Sequence, residues 1–188
     1  MGNLFDKDYF ELFGLGKSYS LDRQLLRGRL REMQKKFHPD NFASASEQEK
    51  RLSAQYAAHI NQAYTTLNDP VKRGQYMLSI LGISTDDEHD TQMDPEFLIQ
   101  QMELREELET AKSAGNNAFE ALSKLNLRID IDYSEREKQI AQILNEIASA
   151  NDVGNADQNL DKARHLVREL QFLNRIRTEI ENAEESLI

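Results

Sequence analysis

Two apolar stripes at helical spacing, separated by a short His-Pro-Asp segment, constrain the fold of this 188-residue chain more than any other feature. Apolar residues that recur every three or four positions are typical of an amphipathic α-helix with one buried face. A proline disfavours helical geometry in the residue before it, so the helix that carries the first stripe ends near Pro39. The sequence therefore predicts an antiparallel helical hairpin. The stripes consist of Leu26, Leu30, Met33 and Phe37, and of Tyr56, Ala57, Ile60, Ala63, Tyr64 and Leu67.

Shorter helices are expected on both sides of this hairpin. The pattern before it predicts a helix over residues 5–13, which Gly14 stops. A capping-box pattern from Ser46 to Glu49 starts the second hairpin helix, and an Asp-Pro step after it opens a further short helix. The two hairpin helices are expected at about 20–37 and 46–67, and the short helix after them at about 71–81.

The composition changes after Gly82, where a polar stretch precedes Asp94 and Pro95. An aspartate at the N-cap followed by proline at the first helical position is a common helix start. We therefore expect two domains, residues 1–82 and 94–188, joined by a short linker over residues 83–93.

The second domain is predicted to be a three-helix bundle. A break is expected near Gly115, and a capping-box pattern from Ser134 to Glu137 indicates an irregularity at residues 130–133. Because strand signals are nearly absent, the predicted fold class is all-α. The expected helices of this domain span about 95–112, 118–150 and 156–185, with a turn at 151–155.

Charge is distributed unevenly between the two expected domains. Residues 1–82 carry 12 basic and 9 acidic side chains, whereas residues 83–188 carry 11 and 24. Mixed charge makes a poor phosphate-binding surface, and the acidic half is repelled by nucleic acid and anionic lipid. We therefore expect neither nucleic acid nor a membrane as a partner.

Cysteine is absent, which excludes disulfides, thiolate metal sites and cysteine nucleophiles. The start of the chain lacks a signal-peptide pattern, and no apolar run reaches the roughly 18 residues that a membrane span needs. A cytoplasmic location is expected. An enzyme built on the histidines is the first alternative, but their spacing matches no helical metal-binding pair, so no catalytic residue, metal site or cofactor is predicted.

A basic helix face leads directly into the His-Pro-Asp segment. At 100° per residue the basic side chains point away from the apolar stripe, so they can steer and orient an acidic protein surface. The proline restricts the backbone of the segment, the aspartate accepts charge-assisted hydrogen bonds, and the histidine donates or stacks. The candidate binding surface comprises Arg27, Arg31, Lys35, Lys36, His38, Pro39 and Asp40.

This arrangement resembles the J-domain family. The resemblance covers roughly the first 80 residues and includes Tyr9-Phe-Glu-Leu-Phe-Gly-Leu15, the hairpin and Ile60-Asn-Gln-Ala-Tyr-Thr-Thr-Leu67. It implies that the segment His38-Pro39-Asp40 triggers ATP hydrolysis in a DnaK-type chaperone. These residues are then regulatory contacts, since the hydrolysis occurs in the partner. In the alternative interpretation the segment is only a turn and the basic face only a solvated one.

The first helix of the second domain has more apolar positions than one buried face needs. Phe97, Leu104 and Leu108 make the core stripe, while a second apolar set lies 100° to 200° around the helix. Such a set is either covered by a neighbouring helix or open as an interface. In the last helix, Phe172 lies about 120° from the centre of the core face. The second apolar set on the first helix of this domain consists of Leu98, Ile99 and Met102, flanked by Glu103 and Glu106.

The run Glu-Leu-Arg-Glu-Glu-Leu108 and the run Val167-Arg-Glu-Leu-Gln-Phe-Leu173 resemble the C-terminal domain of the HscB family of bacterial iron-sulfur co-chaperones. The resemblance implies that the chain binds the iron-sulfur scaffold protein IscU and delivers it to the chaperone HscA. It also implies which residues contact this client, namely Leu98, Ile99, Met102, Glu103, Glu106 and Phe172. Two alternatives remain: a J-protein for a different client, and an acidic bundle that serves only for dimerisation.

Overall fold

The computed structural model describes residues 3–84, 95–149 and 156–187, and in these ranges every regular element is helical. The predicted all-α fold class is therefore confirmed. None of the described helices is long and apolar enough to cross a membrane. The helices are α1 (Tyr9–Phe13), α2 (Arg23–Lys36), α3 (Glu47–Asn68), α4 (Pro70–Ile80), α5 (Pro95–Lys112), α6 (Ala118–Ser149) and α7 (Ala156–Glu185), with short 3-10 turns at Leu4–Asp6, Pro39–Phe42 and Gly115–Asn117.

The chain divides into two compact units, Met1–Met77 and Leu78–Ile188, so that the division falls within α4. The domain limits expected from the sequence stay predictions. Most of the expected linker, the expected Asp94 cap and the expected turn at 151–155 lie outside the described residues.

In the first unit, α2 and α3 form the predicted hairpin, and α1 packs against both helices. Leu26 of α2 and Ile60 of α3 are completely buried. At the exposed edge of the hairpin the side-chain amide of Gln34 donates to Asn61 Oδ1 at 3.0 Å. The two apolar stripes therefore face one another, as their spacing predicts.

The first helix is shorter than predicted. A 3-10 turn occupies Leu4–Asp6, and α1 begins only at Tyr9 because Asp8 acts as its N-cap. The Asp8 carboxylate accepts from the backbone N–H of Glu11 at 2.9 Å, and this geometry requires an extended backbone at Asp8. The helix ends at Gly14, whose φ of +63° is the left-handed conformation that glycine adopts without strain.

In the second unit, α6 packs along α7 and α5 packs against both, which confirms the three-helix bundle. Contrary to the expected irregularity at 130–133, α6 is continuous. Its residues Ile129, Tyr133 and Ile140 are buried at helical spacing, so core packing holds this region helical and Ser134 lies inside the helix, where it caps nothing.

Candidate functional site

The segment His38–Asp40, called the corner below, is held at the end of α2 by hydrogen bonds. The side-chain amide of Asn41 donates to the Lys35 carbonyl at 2.7 Å, and the Asn41 backbone N–H donates to the His38 carbonyl at 3.0 Å. The last carbonyls of a helix have no partner within the helix, so Asn41 satisfies one of them from beyond the turn. The Asn41 side chain therefore attaches the corner to the end of α2, and the Asn41 backbone bond closes the turn that contains the corner.

A second attachment comes from α3. The buried hydroxyl of Ser53 donates to the carbonyl of Phe37 at 3.3 Å, and the Phe37 ring lies edge-on to Tyr56 at 5.3 Å between centroids. Both contacts join the residue before the corner to the facing helix. Sequence reasoning missed Asn41 and Ser53, because their role depends on where the hairpin places them rather than on a local motif.

The functional side chains of the corner are open to solvent. The side chain of His38 is 58% exposed and that of Asp40 is 89% exposed. The Asp40 backbone N–H donates to His38 Nδ1 at 3.3 Å, and the same nitrogen lies 3.5 Å from Asp40 Oδ2. A neutral imidazole that accepts at Nδ1 carries its proton on Nε2, so His38 can donate a hydrogen bond to a partner while Asp40 accepts one.

The predicted basic face is also exposed. Arg27, Arg31 and Lys35 are accessible along α2 and form no ion pair with any residue in the described part of the chain. The Lys36 ammonium lies 5.4 Å from the centroid of the Phe37 ring, beside the corner. Uncompensated positive charge therefore extends along the helix to the exposed histidine and aspartate.

In the second unit, the additional apolar set on α5 is open rather than covered. Leu98, Ile99 and Met102 are 39%, 56% and 71% exposed, and we call these three residues the α5 patch. Glu103 and Glu106 are exposed one helical turn further on. The structure thus brings together five of the six predicted client-binding residues.

Phe172 differs from the sequence interpretation. The sequence predicts an off-face apolar group among charged residues, but Phe172 is only 7% exposed and packs edge-on against Phe97 at 6.0 Å between centroids. The helical wheel of α7 gives the direction of Phe172 but cannot show that α5 lies over it. A contact between Phe172 and a client stays a prediction, and substituting this residue also disturbs the packing of α5 on α7.

The histidines are not gathered into a metal site in the described ranges, where no group of three histidine, aspartate or glutamate side chains is placed to hold a metal ion. His59 lies between the rings of Phe5 and Tyr9, at 5.1 and 5.6 Å between centroids. It therefore takes part in the packing of the first unit.

Comparison with known proteins shows similarity along nearly the whole chain. Residues 93–181 match the family model described as the HSCB C-terminal oligomerisation domain. A "Co-chaperone protein HscB homolog" of Vibrio vulnificus is 43% identical over 180 residues, which cover 96% of this chain and 98% of that protein. The structure is similar to that of chaperone HscB from Vibrio cholerae, with a TM-score of 0.80, 37% identity and coverage of 97% and 100%. For the human co-chaperone HscB the TM-score is 0.79 at 26% identity, with coverage of 93% and 81%.

Proposed function

Because the chain belongs to the HscB family of co-chaperones, we propose that it delivers an iron-sulfur scaffold protein to a DnaK-type chaperone and stimulates the ATPase of that chaperone. The scaffold would be IscU and the chaperone HscA, as the sequence resemblance implies. The proposed role is regulatory, with ATP hydrolysis in the partner, and its proposed place is the cytoplasm.

The observation that carries this proposal is the exposed corner next to an uncompensated basic face. Arg27, Arg31 and Lys35 attract an acidic surface over a distance of about 10 Å at moderate ionic strength, which orients the encounter. Asp40 and His38 then offer an acceptor and a donor on a backbone that is already fixed. A fixed donor and acceptor bind with little loss of conformational freedom, so binding energy remains for shifting the partner toward its hydrolytic state.

The other half of the proposal rests on the α5 patch. Three neighbouring exposed apolar side chains on one helix, with carboxylates beside them, fit an apolar client surface that has a basic margin. The patch lies in the second unit and the corner in the first. The two partners can therefore be tested by separate substitutions.

Substituting Asp40→Asn tests the chaperone end. We expect the variant to lose stimulation of the HscA ATPase while it binds the scaffold with unchanged affinity, because only the carboxylate charge at the corner is removed. The matched control is Asp22→Asn, which keeps a capping side chain at the other end of α2. Stimulation equal to that of the wild type would contradict the proposed role of the corner.

The double substitution Leu98→Ala and Met102→Ala tests the client end. Removing two exposed apolar contacts from the centre of an interface should weaken scaffold binding by about tenfold or more, measured by isothermal titration calorimetry. The control is Leu127→Ala on α6, since Leu127 is 65% exposed and lies outside the α5 patch. Unchanged affinity of the double variant would favour a different client or a different surface.

A second candidate function is self-association, which the description of the matched family model as an oligomerisation domain favours. In that case the α5 patch would be covered by another copy of the chain. Sedimentation equilibrium distinguishes the two functions, because self-association would give a dimer that the Leu98→Ala and Met102→Ala substitutions dissociate.

A further inference from the structure

A surface groove of about 710 Å³ lies between α5 and α6, beside the α5 patch. Small or apolar side chains line it from both sides: the buried Ala111 and Leu125 form its floor, and the more exposed Ala114 and Ala121 form its walls. Ala111 and Leu125 are each only 7% exposed, so the floor is continuous with the core of the bundle. Alanines at the walls leave room for a side chain of another molecule.

The margin of the groove is charged. Glu107 of α5 and Arg128 of α6 form an ion pair across it, in which Nη1 and Oε1 are 3.3 Å apart. Lys124 of α6 pairs with Glu120 at 2.6 Å. The α6 side of the margin is therefore neutralised by these pairs.

Two carboxylates at the margin are not neutralised. Glu103 and Glu106 are exposed and form no ion pair with any residue in the three described ranges. Ile99 and Met102 lie one helical turn before them on α5. The groove thus begins where the α5 patch ends, and its remaining charge is negative.

We propose that this groove is the second part of the client-binding surface and takes a client segment in which an aliphatic side chain lies beside a lysine or arginine. The inference rests on the proposed function, since it concerns the same client. The aliphatic side chain would cover the floor of the groove, and the basic group would pair with Glu103 and Glu106. The client would then contact α6 as well as α5.

Filling the groove from either wall tests the proposal in the full chain. Ala114 is exposed and Ala121 half-exposed, so Ala114→Phe and Ala121→Phe can each occupy the groove without entering the core. Each should weaken binding of the purified scaffold protein by about fivefold or more in calorimetry. The matched control is Ala141→Phe, also half-exposed on α6 but outside the groove, and circular dichroism checks that the helix content is unchanged.

Adding a carboxylate tests the charge of the occupant. Thr110 lines the groove and its hydroxyl donates to the carbonyl four residues earlier at 2.8 Å; Thr178 on α7 makes the same type of bond at 3.1 Å away from the groove. Thr110→Glu should tighten scaffold binding by about threefold, and Thr178→Glu should change it less.

The outcomes separate the two proposals. Wild-type affinity in both phenylalanine variants, or weaker binding by Thr110→Glu, would overturn the groove inference while the loss caused by Leu98→Ala and Met102→Ala still supports the proposed function. No binding of the scaffold by the wild-type chain would overturn both.

Discussion

Asp8 combines helix capping with an ion pair in the first unit. Its carboxylate accepts from the backbone N–H of Glu11, and Oδ2 lies 2.6 Å from the Lys17 ammonium. Burial by itself raises the pKa of Asp8. The hydrogen bond with Lys17 and those with the backbone together lower the pKa by more than burial raises it, so the pKa lies below its ordinary value of 3.8. The ionised form of Asp8 is therefore the one that the fold favours.

A carboxyl whose pKa is lower in the folded chain stabilises the fold above its ordinary pKa and loses this effect as the pH falls through the folded value. We expect Asp8→Asn, which retains a capping side chain, to lower the free energy of unfolding by about 0.5 kcal/mol at pH 7. The difference from wild type should shrink below pH 3.8. Urea unfolding followed by circular dichroism at several pH values measures this difference in the free energy of unfolding. A difference that stays constant with pH would contradict the stabilising role of ionised Asp8.

At the level of single residues, the sequence predicts the corner well and its attachments poorly. His38, Pro39 and Asp40 are adjacent in the chain, so their shared location follows from the motif itself. Asn41 and Ser53 take part only once α2 and α3 lie side by side. Contacts of this kind depend on tertiary geometry, which a helical wheel does not contain.

At the level of helices, one local capping pattern occurs twice in the sequence but caps a helix only once in the structure. Ser46 to Glu49 and Ser134 to Glu137 both read Ser-x-x-Glu, yet only the first is a capping box, with the Ser46 backbone N–H donating to Glu49 Oε2 at 2.9 Å. The second lies inside α6, whose buried face continues through Tyr133. Local capping preference amounts to about 1 kcal/mol, which the burial of several apolar side chains exceeds.

This difference predicts opposite effects of one substitution. Ser46→Ala should lower the free energy of unfolding by about 1 kcal/mol, because a cap is lost. Ser134→Ala should raise it by about 0.3–0.5 kcal/mol, because alanine is the better residue in an exposed helix interior. Denaturant unfolding of the two variants measures both changes, and destabilisation by Ser134→Ala would indicate a break in α6.

For the molecule as a whole, the fold class and family were predictable because amphipathic spacing and motifs extend along the entire chain. The charge division between the halves was equally visible. The spacing of the α5 patch does not predict its exposure, since an apolar stripe has the same sequence pattern whether a neighbouring helix covers it or not. Only the packing of α5 on α6 and α7 decides that it is open.

Because the two partners are proposed to bind different units, the proposed delivery predicts coupling between the two binding events. The scaffold protein and this chain added together should stimulate the HscA ATPase by more than the sum of their separate effects. The chain would bind both proteins at once and so bring the scaffold protein to a high local concentration at HscA. A steady-state ATPase assay measures this. The variant with Leu98→Ala and Met102→Ala should lose this more-than-additive stimulation while it still stimulates the ATPase in the absence of the scaffold protein. Simple additivity with the wild-type chain would mean that the corner and the α5 patch act independently.

The Asn41 bond to the end of α2 also bears on how selective the corner is. A loop that is fixed before docking loses little disorder on association, but it has correspondingly little freedom to remodel itself around an unfamiliar cleft. A fixed loop can therefore bind a matching partner well but adapts poorly to other partners. We therefore expect the proposed chaperone contact to favour one dedicated chaperone over several interchangeable ones.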